Sequence, residues 1–170
     1  RRVLFRSLTT GLPGPPPREF KDGLPRADLL VLGGDLVYPT PSRNAYRTRT
    51  RTAFEAALPE QPKRRRPSFL AIPGNHDWYD GLTGFLREFC QGGCLGGWRL
   101  EQSRSYFAVR LKCDWWLLGI DIALDSRIDS PQQQYFTKVL SYMRNRTPHR
   151  KPRVILCTAK PVWLDNPRHS

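Results

Sequence analysis

The chain has 170 residues, with 28 Lys and Arg against 15 Asp and Glu, a formal charge of +13. That length suits one domain able to bury roughly 70% of its unfolded surface, so neither a disulfide framework nor a structural metal is needed for folding. The longest apolar runs, 27–32 and 115–120, fall far short of the ~20 residues of a membrane helix, which excludes a transmembrane segment among them.

The charge makes a polyanion, nucleic acid or an anionic membrane surface, a fair candidate partner. The basic residues are nevertheless dispersed: the densest run, Lys63-Arg64-Arg65-Arg66, lies in a Pro-bounded loop, and no aromatic-interleaved stripe offers a stacking platform. A solvated arginine bias is the favoured reading. Cys90, Cys94, Cys113 and Cys157 make no paired Cys-x-x-Cys site and read as free thiols, which favours a reducing, cytoplasmic compartment.

Residues 1–26 form an irregular N-terminal segment, rich in Gly and Pro from 11 to 17, that fits neither a signal peptide nor a regular element. Its Leu4-Phe5-Arg6-Ser7 matches what a sequencing adapter would encode, so the first few residues are read as non-native. Residues 27–170 then make up the domain.

The first strand, 27–32, runs into Gly33-Gly34-Asp35, and a second, 68–72, runs into Pro73-Gly74-Asn75-His76-Asp77. Two parallel strands with this ending deliver Asp35 and Asn75-His76-Asp77 to one edge, where α/β proteins keep their chemistry. Between them, Ser42 is the N-cap of a helix over 43–58, with Ala45, Tyr46, Thr50, Ala53, Phe54 and Ala57 on its apolar face and arginines facing water.

After the second motif, Asp80 is expected to cap a helix reaching about Cys90, and Gly92, Gly93, Gly96 and Gly97 to form a flexible loop. Residues 105–111 and 115–120 make a hairpin of one edge strand and one buried strand through Lys112-Cys113-Asp114. Asp121 ends the buried strand as Asp35 ends the first, so the strands closing at Leu32, Ile72 and Ile120 are expected to be neighbours. Ser130-Pro131 signals a helix to Arg146, and 153–158 is the last strand.

The motifs Gly34-Asp35-x-x-Tyr38 and Gly74-Asn75-His76-Asp77 resemble those of the calcineurin-like metallophosphoesterase family, over residues 27–163. The resemblance implies an α/β sandwich of mixed sheets flanked by helices, incomplete at both ends. It implies hydrolysis of a phosphate-ester substrate through two divalent or trivalent metal ions, Mn, Fe or Zn. Asp35 would bridge the ions, Asn75 would bind one of them, and His76 would contact the scissile phosphate. Tyr38 stands at the tyrosine position of the family's Gly-Asp-x-x-Tyr pattern; by their places at the strand ends, Asp77 and Asp121 would stand behind these residues or line the pocket, with a helix or loop cap as the other reading of Asp121.

The chemistry agrees with the residue types. Two ions about 3.5–4 Å apart activate a water and clamp the attacking and leaving oxygens. A carboxylate can bridge cations, an amide oxygen can bind one, and a histidine oriented by Asp77 or a neighbouring carboxylate can stabilise a leaving group. Each residue also has a bland reading: Asp35 capping a turn, Asn75 in a left-handed turn, His76 a structural donor.

Relatives place a His-x-Pro histidine where this chain has Ala159, and neither the family's opening Asp-x-His nor its closing Gly-His-x-His has a match here; His149 and His169 lack the context. Truncation at both ends accounts for the two outer motifs. The chain alone is therefore expected to be a poor enzyme. The rival class is a degenerate domain or a basic, non-enzymatic module that binds a polyanion.

Overall fold

Two apolar runs that end in Gly and Asp pair side by side. In the computed structural model, which describes residues 27–58, 66–124, 127–146 and 151–161, β1 (Leu29–Leu32) and β2 (Ser68–Ala71) are parallel, with Leu32 opposite Ala71. The first sheet continues through β4 (Trp98–Leu100) to β3 (Cys94–Leu95) in the order β1-β2-β4-β3. The second sheet is β5 (Phe107–Arg110), β6 (Trp115–Ile120) and β7 (Arg153–Thr158), with β6 in the middle, antiparallel to β5 and parallel to β7.

Side-chain alternation builds four layers from these strands. Phe69 and Ala71 of β2 face α1, whose consecutive segments are Arg43–Ala45, Tyr46–Arg51 and Thr52–Ala57, and α2 (Thr83–Phe89). Leu70 and Ile72 face the other way, onto Phe107 and Leu117 of the second sheet. Trp116, Leu118 and Ile120 of β6 then pack on Phe136 and Met143 of α3 (Ser130–Arg146). A helix–sheet–sheet–helix sandwich buries both faces of β2 and β6, which is why their sequences are apolar without alternation.

Aromatic packing holds the helical side. Phe69 is fully buried, stacked on Phe89 at 5.8 Å and edge-on to Phe54 and Trp98; such a side chain contributes about 2–3 kcal/mol through burial. Where the sheets meet, Gly119 leaves room for the Phe107 ring, which a Cβ would strike.

Several expectations need correction. Strands β1 and β2 are neighbours, but β6 belongs to the opposite sheet and meets β2 face to face; a strand apolar on both faces fits either place, so sequence cannot choose. Gly92 and Gly93 lie in the irregular stretch between α2 and β3, but Gly96 and Gly97 make the turn of the short β3–β4 hairpin, Gly96 at φ 55, with β4 parallel to β2. Helix α1 starts at the expected cap, Ser42 Oγ accepting from Ala45 N, but residues 46–51 are a π segment. Its wider turn shifts the helical phase, leaving Ala53 exposed while Tyr46 and Thr50 are buried.

At α3 the cap is one residue earlier than expected: Asp129 Oδ1, not Ser130, accepts from Gln132 N at 2.8 Å. Asp80 caps α2 from outside it, its Oδ2 accepting from Gly84 N, because the chain first makes a 3₁₀ turn at His76–Asp80. The hairpin 105–120, α3 and β7 otherwise follow the expected spans. Among the described residues strand β7 edges its sheet, with Val154, Ile155 and Leu156 exposed.

All four cysteines are free, and burial pushes the Cys90 thiol up to about 11 and raises that of Cys157, so both stay protonated at neutral pH. No helix among the described residues is long and apolar enough to cross a membrane. Residues 1–26, the run 63–65, His149 and His169 lie outside the described residues.

Candidate active site at the strand ends

The parallel pairing of β1 and β2 continues one step past the strands, Ile72 N donating to Leu32 O at 3.0 Å. Both chains then turn at glycine. Gly34 takes φ 118 and Asp35 follows at φ 50, a left-handed conformation that Asp tolerates better than most residues. Gly74 is required by proximity: a Cβ there would collide with the backbone N and Oδ1 of Asp35. The two motifs are thus in contact, and Asp35 Oδ1 accepts from His76 N at 3.2 Å.

Asp77 bolts the two loops together. It is fully buried, accepting at Oδ1 from Tyr46 Oη–H (2.6 Å) and at Oδ2 from Gly74 N (2.8 Å) and Leu36 N (3.2 Å). Thr50 Oγ1 donates to the Leu36 carbonyl at 2.5 Å, so α1 holds that carbonyl directly and the Leu36 N–H through Tyr46 and Asp77. Burial pushes the Asp77 carboxyl above the usual range, against the three hydrogen bonds, which lower it. Tyr46, expected only as core, is pushed up strongly by burial and by Asp77, and it remains a proton donor.

His76 is oriented by something other than a carboxylate. Its Nδ1 lies 2.6 Å from Pro39 O, and its ring sits between Tyr38, 4.5 Å away, and Tyr79, 4.9 Å away, centroid to centroid. Asp77, expected to orient the ring, has its oxygens turned to Tyr46, Gly74 and Leu36 instead. A carbonyl only accepts, so Nδ1 carries a hydrogen and Nε2 is the atom left to exchange a proton. Asn75 is exposed and donates from Nδ2 to Tyr79 Oη at 3.3 Å, which leaves its Oδ1 without a partner among the described residues.

A third strand end reaches the same place. Ala159, just past β7, contacts the position a Gly34 Cβ would take, next to Gly74. Lys160 follows, its N–H held by Thr158 Oγ1. Asp121 lies behind the site rather than in it: buried at the end of β6, it accepts at Oδ1 from Trp78 Nε1 at 3.0 Å and so ties the 3₁₀ turn to the second sheet. Burial raises its carboxyl too.

Two buried glutamines were not foreseen. Gln132 pairs with the backbone N and O of Asp121, and Gln102 with those of Ala71, each side-chain amide standing in for a neighbouring strand at the end of β6 or β2. No single-sequence signal marks them, since a glutamine among polar neighbours reads as surface.

Among the described residues no group of three or more His, Cys, Asp or Glu is placed to hold a metal ion. Asp35 and Asn75 offer hard oxygen donors at the edge, and Ala159 offers a methyl group. These residues do not fit a two-ion centre, in which each ion takes roughly four to six donors.

The sequence profile of the calcineurin-like phosphoesterases matches residues 11–163. No curated protein and no solved structure matches the chain.

Proposed function

The chain belongs to the calcineurin-like phosphoesterase family, whose members are hydrolases that generally bind divalent metal ions, and we propose that it hydrolyses a phosphate ester at the edge where β1, β2 and β7 end. The observation that supports this most is the single bolt, Asp77, which brings the backbones carrying Asp35, Asn75 and His76 into register. We assign His76 the delivery of a proton to the leaving oxygen. As imidazolium it donates from Nε2 while Nδ1–H stays on Pro39 O; a water oxygen bonds to phosphorus and gives a proton to solvent as the phosphorus–oxygen bond to the leaving group breaks, the leaving oxygen takes the imidazolium proton, and the imidazole returns to its neutral form.

A divalent ion, when bound, would neutralise charge on the phosphate and supply an activated water, and the donors among the described residues do not complete a two-ion centre. Asp35 and Asn75 are the described residues suited to touch such ions, with Mn, Fe or Zn as candidates. Because two donors hold an ion weakly, slow turnover of the 170-residue chain is part of the proposal. Tyr38 and Tyr79, flanking the imidazole, limit its rotation.

The test is phenol release from phenyl phosphate as monoester and diester with Mn²⁺, Zn²⁺ or Fe²⁺, beside metal affinity from equilibrium titration. His76→Ala should keep its metal and lose about 10²–10⁴-fold in rate, whereas Asp35→Asn should lose metal. Equal metal loss in both variants contradicts the division of roles. Salt-sensitive polyanion binding with no turnover under any metal would favour the degenerate reading that Ala159 raises.

A further inference from the structure

Beside His76 lies a cleft of about 230 Å³ whose lining includes Tyr38, Pro39, Ser42, Asn44, Thr48 and Arg49. It shares a wall with the candidate site: Pro39 receives the imidazole Nδ1–H, and the Tyr38 ring packs on the imidazole. The opposite wall is the π segment of α1, fixed from behind by Tyr46 on Asp77 and Thr50 on Leu36. Cleft and site therefore stand on one scaffold.

The lining has a clear sign. Among the described residues no carboxylate contributes to it. Arg47 is engaged by Asn44 Oδ1, and Arg51 by Glu55 and Glu88, but Arg49, exposed in the cleft, has no acidic partner among the described residues. Ser42 Oγ accepts from Ala45 N and keeps its own O–H to donate, and the Tyr38 hydroxyl is exposed. A guanidinium and two hydroxyl donors facing one cleft, without a competing acid, suit an anionic group and no cation.

We propose that this cleft is the subsite for a second anionic group on the substrate, so that an ester carrying two phosphates is preferred over a simple monoester. The assignment rests on the phosphoesterase reading for the position of the scissile phosphate near His76. Arg49 supplies the charge, and the hydroxyls of Ser42 and Tyr38 supply direction. An exposed guanidinium is partly screened by salt, so the preference is expected to be about tenfold rather than a thousandfold.

The test separates binding from turnover. Calorimetric affinities of the 170-residue chain, without added metal and at fixed moderate salt, are compared for propyl phosphate and 1,3-propanediol bisphosphate, which differ only in the second anion. Wild type and Arg43→Glu, a charge change on the same helix outside the cleft, should both prefer the bisphosphate by about tenfold, and Arg49→Glu should lose the preference. Equal affinities in the wild type, a preference that survives Arg49→Glu, or one lost equally in Arg43→Glu would overturn the subsite. Release of phosphate is measured separately with metal. No release from either ester would count against the phosphoesterase reading while leaving the binding preference standing.

Discussion

Asp77 is where the fold and the site can be perturbed separately. Asp77→Ala removes the acceptor for two buried donors, Tyr46 O–H and Gly74 N–H, and one part-buried donor, Leu36 N–H. At about 1–3 kcal/mol for each unsatisfied group, less the relief of no longer burying a carboxyl, the net loss should be about 3–4 kcal/mol. At roughly 2–4 °C per kcal/mol for a chain of this size, Tm falls by about 10 °C. Asp77→Asn should cost no more than about 1 kcal/mol, because its Oδ1 can take both backbone N–H groups while its Nδ2 donates to Tyr46 Oη, the phenol reversing its role. Tyr46→Phe should lie between them, about 1.5–3 kcal/mol for a bond to an ionised acceptor.

The pH dependence has a definite sign. Burial raises the folded-state carboxyl of Asp77, so its favourable contribution is fully present below the unfolded value near 3.9. As pH rises from there through the raised folded value, the unfolded state gives up its proton first and stability falls. Asp121 adds a term of the same sign. Asp77→Asn should flatten that decline. Urea titrations from pH 3 upward are the assay. An Asp77→Ala loss under 1 kcal/mol, or an Asn variant as unstable as the Ala one, would refute the bolt.

Gly74→Ala should push Asp35 away and lower metal uptake and turnover together, by tenfold or more, with secondary structure intact by circular dichroism; a fully active variant would mean that the close approach to Asp35 is dispensable. Gln132→Leu strips the backbone N and O of Asp121 of both partners and should cost about 2–4 kcal/mol in urea unfolding, whereas exposed Gln134→Leu should stay within about 0.5 kcal/mol.

Much of this was legible from local rules. Parallel β1 and β2, the 105–120 hairpin, the Ser42 cap and the gathering of Asp35 and His76 at one edge all follow from apolar runs, turn residues and strand-ending glycines. What sequence left undecided is long-range. The run 115–120, apolar on both faces, could join β1 and β2 in one sheet or lie over them, and only packing against Leu70 and Ile72 settles that. The π segment of α1 depends on two distant grips, Tyr46 on Asp77 and Thr50 on Leu36, which local propensity does not encode. The Pro39 carbonyl as partner of His76 was equally hidden, because a backbone acceptor has no residue-type signature.

The claim that His76 delivers a proton to the leaving oxygen is tested most directly by varying that oxygen. Rates of wild type and His76→Ala are measured under one metal condition across phosphate esters running from nitrophenyl, whose leaving group needs little protonation, to alkyl, whose leaving group needs it fully. The account predicts a loss in the variant of tenfold or less for nitrophenyl, about 10²-fold for phenyl, growing toward 10⁴-fold for alkyl. An equal loss across the whole series would contradict it and make His76 a residue that only binds phosphate.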